Sequence, residues 1–174
     1  MHRRWLLPLL TMLVLWWLFA QINHHLAPHG VYLYVGGLLI TFNALRLGLR
    51  TGLTATLLAG LAIDAVEPAP FGTHLLLLGA AHVVLYQIRA RFPREETLFG
   101  LLAALLANLA LFLALSFVVL AAHPAPWAVW PRLFADLGWS QLCLFLITPW
   151  FLALQRRVLE LGHVDLAAES RRAF

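Results

Sequence analysis

Long apolar stretches make up most of this chain, and short polar or proline-containing segments separate them. Six stretches can be distinguished, at about residues 5–22, 31–45, 51–66, 71–88, 98–121 and 137–154. Runs such as LLLLGAAHVVLY and LLAALLANLALFLAL are apolar on every helix face, without the alternation typical of transmembrane β-strands. A hydrocarbon interior offers the backbone no hydrogen-bond partners. The pattern therefore predicts an all-α integral membrane protein with six transmembrane helices.

Two segments leave a choice of structure. The first stretch, WLLPLLTMLVLWWLFAQI, has the position of a signal peptide, but as a helix of about 1.5 Å per residue it is long enough to span a membrane. The following QINHHLAPHG lacks a small-x-small cleavage pattern, so we predict a retained first helix. Residues 127–137, WAVWPRLFADL, predict either a short helix in the membrane interface or an irregular loop.

The positions of the arginines predict the orientation. If the six helices alternate in direction, eleven of the twelve arginines lie on one side and only Arg132 lies on the other. The arginine-rich side is cytoplasmic by the positive-inside rule. Both termini are then cytoplasmic, and residues 1–160 form the membrane domain, followed by a polar tail at 161–174. A five-helix arrangement separates the arginines seven against five, which is a weaker asymmetry.

Composition supports this class and excludes others. Hydrophobic residues make up 62% of the chain and charged residues 11%, whereas soluble domains carry about 25% charged residues. The net charge of +4 comes from arginines at helix ends, so we predict no nucleic-acid partner. Cys143 is the single cysteine, which excludes a disulfide framework and a cysteine metal site.

The third stretch carries a series of small residues four positions apart, which ends in an acid: Gly48, Gly52, Thr56, Gly60 and Asp64. On a helix this spacing makes one face, and small residues let membrane helices approach closely. We therefore predict that the third helix lies buried at the centre of the fold.

Asp64 is predicted to lie near the outer end of that helix, where three roles are possible. In a structural role its carboxylate accepts hydrogen bonds from N–H groups at Gly72 and Thr73, at the start of the next helix, and from His74. In the other two roles it binds a ligand or partner, or it handles a proton. The structural role predicts that Asp64→Asn is mild, because an amide still accepts hydrogen bonds.

Few other polar residues lie inside the predicted helices. Asn43 and Asn108 are predicted to form hydrogen bonds between helices, and His82 and Tyr86 to pair along one helix face. The sequence contains no HExxH motif, nucleophile turn or glycine-rich phosphate loop. We therefore predict a protein that is not an enzyme and has no catalytic residues, cofactor or metal.

The order of these features resembles the bacterial rod shape-determining protein family MreD. The features are the proline-bearing loop APHG, a small-rich third helix ending GLAID, a short loop closing on PFG, arginines after the fourth helix, and a last helix ending TPWFLALQRR. The most specific part is G-x-x-x-D followed by a short loop and glycine, here Gly60, Asp64 and Gly72. The resemblance covers about residues 5–160.

This resemblance implies a scaffold subunit of the cell-elongation machinery in the inner membrane of a rod-forming bacterium. The implied partners are an MreC-like membrane-anchored protein, MreB-like filaments and the peptidoglycan polymerase and transpeptidase pair. The family is also similar in fold to the substrate-binding subunits of energy-coupling-factor vitamin transporters. That similarity implies an alternative, in which Asp64, His74 and Asn43 line a pocket for a small solute.

Overall fold

The protein is described here by a computed structural model that covers residues 5–91, 97–121 and 126–162, without the side chains of Arg91, Thr97 and Pro126. This part of the chain contains six α-helices and no strand, which confirms the predicted all-α class. The helices are α1 (Leu6–Leu26), α2 (Gly36–Arg46), α3 (Leu49–Asp64), α4 (Thr73–Ile88), α5 (Thr97–Leu120) and α6 (Pro126–Leu161). Two 3-10 turns follow α1 and α4, at Ala27–His29 and Arg89–Arg91.

Three of these helices are long and apolar enough to cross a membrane. They comprise the segments Leu6–His29, Leu98–Leu120 and Trp127–Leu161, and Thr73–Ile88 is a shorter apolar helix. Their side chains leave many large hydrophobic residues exposed, for example Leu106 on α5 and Leu146 on α6. A surface of this kind suits lipid rather than water, which identifies a membrane protein.

The centre of the fold is α2. This helix contacts all five others, which pack beside one another in the closed order α1, α3, α4, α5, α6 and back to α1. Nine consecutive residues of α2, Gly36 to Ala44, are buried, whereas α3 buries only one face. The prediction that the third helix lies at the centre is therefore wrong. α2 can be buried on every side although it carries Thr41 and Asn43, because both side chains donate hydrogen bonds inside the protein, to the Gly37 carbonyl and the Met12 sulfur.

The predicted second helix begins too early. Residues 31–35, VYLYV, are extended, and α2 begins only at Gly36. Val and Tyr make up four of these five residues, and they favour extended backbone over helix because both residue types have high β propensity. The centre of the fold therefore contains α2, a short helix of about 16 Å, and the extended segment 31–35 precedes it.

The last helix is longer than predicted at both ends. The predicted stretch 137–154 lies inside α6, whose 36 residues extend about 54 Å. Residues 127–137, predicted as a separate interfacial helix or a loop, are the first turns of α6. Two prolines, Pro131 and Pro149, lie within the helix. The predicted tail lies mostly outside the described residues, because the description ends at Gly162.

Charged side chains separate to the two ends of the helices. One end, called the acidic end here, carries Asp64, Glu67 and Asp136, together with Arg132, which lies 3.9 Å from Asp136. The opposite, arginine end carries Arg46, Arg50, Arg89, Arg156 and Arg157, with Glu160 paired to Arg156 at 2.9 Å. Helix contacts establish these ends: Asn23 of α1 reaches Leu33 before α2 at the acidic end, and Gln155 of α6 reaches Thr11 of α1 toward the arginine end.

Candidate functional site at the acidic end

Asp64 connects the end of α3 to the start of α4. Its Oδ1 accepts hydrogen bonds from the backbone N–H of His74 at 2.8 Å and from His74 Nδ1 at 2.9 Å. Its Oδ2 accepts one from the N–H of Leu75 at 2.9 Å. The Asp64 side chain has no solvent exposure. The carboxylate thus satisfies two of the N–H groups that every helix N-terminus leaves free, and it holds the His74 ring in one orientation.

The donors differ from those predicted from the sequence. His74 was predicted as a partner, and the structure places it against Asp64, but the backbone donors are His74 and Leu75 instead of Gly72 and Thr73. Because α4 begins at Thr73, the second and third helical residues present their N–H groups outward, as in ordinary N-terminal capping. Both carboxylate oxygens are used, so an amide at position 64 can replace only one of them.

Two glycines allow this connection to form. A Cβ on Gly60 would lie 2.8 Å from Leu75 Cα and 2.9 Å from Leu75 N, so the backbones of α3 and α4 meet directly at Gly60. Gly72 precedes α4 with φ +93°, a conformation that residues with a side chain rarely adopt. Gly60, Asp64 and Gly72 therefore form one structural unit.

The same face of α3 meets α4 toward the arginine end. A Cβ on Gly52 would lie 2.8 Å from His82 Cε1, and the Thr56 hydroxyl lies 3.0 Å from His82 Nδ1. His82 therefore pairs with Thr56 across the helices, while the predicted pairing of His82 with Tyr86 along one helix face stays a prediction. Tyr86 lies under the guanidinium of Arg89, at 3.7 Å from ring centroid to Cζ.

Each of the two asparagines that were predicted to bond between helices connects α2 to a neighbour, one to α5 and the other to α1. Asn108 on α5 accepts a hydrogen bond from the N–H of Gly37 at 3.1 Å. A Cβ on Gly37 would overlap the backbone of α5 at Ala104 and Asn108, so α2 and α5 are in backbone contact there. Asn43 donates from Nδ2 to the sulfur of Met12 at 2.9 Å. It does not join Asp64 and His74 at the acidic end.

Sequence reasoning missed the side chains that hold the extended segment 31–35. Asn23 accepts from the N–H of Leu33 and donates to its carbonyl, at 2.8 and 2.9 Å. Asp136 accepts from the N–H of Tyr32, and Ser140 accepts from the N–H of Tyr34, both at 2.9 Å. Backbone buried without a helix needs such partners. Polar residues near the ends of the first and last apolar stretches were the available signal.

Arg89 was also missed as a structural residue. It is 7% exposed, and its Nη1 donates to the carbonyls of Ala44 and Leu47 at 3.0 and 2.6 Å. These carbonyls belong to the last turn of α2 and the residue after it, where helix carbonyls lack intrahelical partners. Arg89 therefore ties α4 to α2 at the arginine end, a role that a count of interfacial arginines does not reveal.

A small cavity, called the Glu67 cavity here, lies between α1, α3, α4 and the extended segment at the acidic end. Its volume is about 40 Å³, and it is partly open to the surface. The lining includes five polar side chains and two aromatic rings: Asn23, Tyr32, Tyr34, Glu67, His74, Trp16 and Phe19.

The remaining candidate chemistry is limited. Within residues 5–91, 97–121 and 126–162 there is no group of three or more His, Cys, Asp or Glu side chains that could hold a metal ion. Of the predicted pocket residues, His74 lines the Glu67 cavity, while Asp64 lies behind it. The cavity can bind and position a small chemical group, and the buried polar side chains around it connect helices.

Comparisons with family models, with curated proteins and with solved structures found no match to this chain.

Proposed function

We propose that this protein is a non-enzymatic scaffold subunit of the bacterial cell-elongation machinery, of the MreD type, in the inner membrane. The observation that carries the proposal is the unit of Gly60, Asp64 and Gly72. These residues form the most specific part of the resemblance, and in the fold they shape one helix connection. Asp64 is covered and hydrogen-bonded on both oxygens. A motif of this kind supports a structural role more than a chemical one.

The proposed protein crosses the membrane six times with both termini in the cytoplasm. The separation of charges supports this orientation, because five arginines lie at one end of the described helices and three of the four described acids lie at the other. The arginine end would then face the cytoplasm.

The proposed partner is an MreC-like membrane-anchored protein, with MreB-like filaments and the peptidoglycan polymerase and transpeptidase pair as further members of the assembly. Exposed apolar side chains on α5 and α6 offer a surface on which a partner's transmembrane helix can pack. Membrane helices associate through such packing, without a need for charged groups at the contact.

Co-purification tests this proposal. The tagged protein is expressed in a heterologous membrane with the MreC-like protein of the same genome, extracted in mild detergent and captured. We expect the partner to be retained, and to be lost when its transmembrane helix is replaced by an unrelated one of equal length. Absence of retention, with the tagged protein still eluting as a single folded species, would contradict the proposal.

The second candidate is the substrate-binding subunit of a small-solute transporter, and the Glu67 cavity is the observation that favours it. Its volume of about 40 Å³ is well below the ~300–1,000 Å³ typical of small-molecule sites. A panel of vitamins, measured by the melting temperature of the purified protein, separates the two candidates. A ligand-dependent rise favours the transporter, and a flat panel favours the scaffold.

A further inference from the structure

The Glu67 cavity has the chemistry of a cation site. Among the described residues that line it, Glu67 is the only acid, and the nearby Asp64 carboxylate has no solvent exposure. No arginine lines the cavity, and among the described residues no cation lies within ion-pair distance of Glu67. A carboxylate in a partly closed site is stabilised by a counter-ion.

The other polar groups of the cavity can accept hydrogen bonds. Nδ1 of His74 is bonded to Asp64, so Nε2 is the ring nitrogen that remains for a ligand. The phenol oxygens of Tyr32 and Tyr34 are further acceptors. Asn23 is not available, because both ends of its amide bond to the backbone of Leu33. An ammonium group has three donors, and with the Glu67 carboxylate the cavity offers four acceptor groups for them.

The size and shape of the cavity restrict which ligands can bind. A volume of about 40 Å³ holds roughly three water-sized groups, which corresponds to an aminoethyl group of one nitrogen and two carbons. The rings of Trp16 and Phe19 form part of the wall, and aromatic faces attract organic cations. The N-terminus of α2 borders the cavity at Gly36 and contributes about half a positive charge, less than the full negative charge of Glu67.

We propose that the Glu67 cavity binds a primary ammonium group of aminoethyl size, supplied by an ethanolamine lipid headgroup or by a free small amine. Glu67 is the counter-ion, Tyr32, Tyr34 and His74 Nε2 accept from the ammonium, and the aromatic rings cover the carbons. The cavity is lined at the acidic end by Glu67 and His74, after α3 and at the start of α4, so a lipid headgroup at the membrane surface would approach it from that end. This site is independent of the partner surface proposed above.

The test uses the full chain, purified in neutral detergent without aminophospholipid, and measures melting temperature against ligand concentration. We expect ethanolamine to stabilise the protein, while choline, which is too large, and glycolate, which is an anion, do not. Glu67→Gln should weaken ethanolamine binding about tenfold or more. Glu160→Gln removes an exposed carboxylate at the arginine end and should leave binding unchanged.

A second arm compares nanodiscs of phosphatidylethanolamine and phosphatidylcholine with identical acyl chains. Stabilisation by free ethanolamine together with stabilisation by the ethanolamine lipid that Glu67→Gln abolishes assigns the lipid as source, and stabilisation by free ethanolamine without any by the ethanolamine lipid assigns a soluble amine. No stabilisation in either arm, or equal stabilisation by choline or glycolate, overturns the proposal. The series of ligands measured with the wild-type protein tests the proposed site even if Glu67→Gln does not fold. Partner retention, measured separately, is unaffected by either outcome.

Discussion

Replacing Asp64 distinguishes a structural carboxylate from a chemical one. The carboxylate accepts three hydrogen bonds, two on Oδ1 and one on Oδ2, and its side chain has no solvent exposure. Asp64→Asn keeps one acceptor and places an N–H₂ group against a donor. Asp64→Leu removes every acceptor and leaves two backbone N–H groups and the His74 ring without a partner. The expected order of stability is wild type, then Asn, then Leu.

The loss of stability in each variant follows from the number of hydrogen bonds to Asp64 that the substitution removes. Hydrogen bonds between helices in membranes contribute about 0.6 to 1.7 kcal/mol each. Asp64→Asn, which loses one bond, should destabilise by about 1–2 kcal/mol, and Asp64→Leu, which loses three, by about 2–5 kcal/mol. For a chain of this size, 1 kcal/mol lowers the melting temperature by about 2–4 °C. The structure thus replaces the sequence-based expectation of a mild Asn substitution with a measurable one.

Thermal unfolding in detergent, followed by tryptophan fluorescence, measures these differences. Glu160→Gln is the control, because the exposed pair of Glu160 with Arg156 contributes only about 0.3–0.5 kcal/mol. An unchanged melting temperature for Asp64→Asn, or a value for Asp64→Leu no lower than that for Asn, would refute the role assigned here to Asp64. Lost function of Asp64→Asn with normal stability would show that the charge itself is required.

Further predictions concern packing and orientation. Gly37→Ala should lower the melting temperature strongly, because its Cβ meets the backbone of α5, whereas Gly138→Ala, with no atom within 4 Å of its Cβ, should leave it unchanged or raise it slightly; equal effects would contradict the contact. Gly60→Leu should destabilise more than Gly79→Leu, since Gly60 meets the backbone of α4 and Gly79 meets only a leucine side chain that can rotate; the reverse order in thermal unfolding would exclude this arrangement. Two reporters are fused in turn to the C-terminus, one that is active only in the cytoplasm and one that is active only in the periplasm. Only the cytoplasmic reporter should be active, and activity of the periplasmic reporter would refute the proposed orientation.

The sequence predicted the helices well where apolar length determined the outcome. Five predicted stretches correspond closely to α1, α3, α4, α5 and the middle of α6, because about 15 or more apolar residues without alternation favour a helix. His74 as a partner of Asp64 was predictable because the short loop returns the chain beside α3. The extended start of the second stretch was hidden by its hydrophobicity, although its two Val and two Tyr residues favour extended backbone.

The central helix was harder to predict, because periodicity reports a close contact rather than a central position. The small residues of α3 mark one face that meets α4, and the rest of α3 contributes exposed leucines such as Leu58 and Leu61. α2 includes the polar residues Thr41 and Asn43, so its sequence does not mark it as the helix that is buried on all sides. Its position depends on Gly37 against α5 and Arg89 from α4, both of which are long-range contacts.

These contacts divide the fold into parts with different roles. α2, α3 and α4 are joined by three buried polar connections, at Asp64, at Thr56 and at Arg89, which span both ends and the middle of α4. The extended segment is held instead from outside this block, by Asn23 of α1 and Asp136 of α6. The extended segment, which lines the Glu67 cavity, is therefore positioned by α1 and α6, whereas α2, α3 and α4 are held together by their own side chains. Neither α5 nor α6, the helices proposed to meet a partner, contributes a lining residue to the cavity, so the two proposed sites are separate among the described residues.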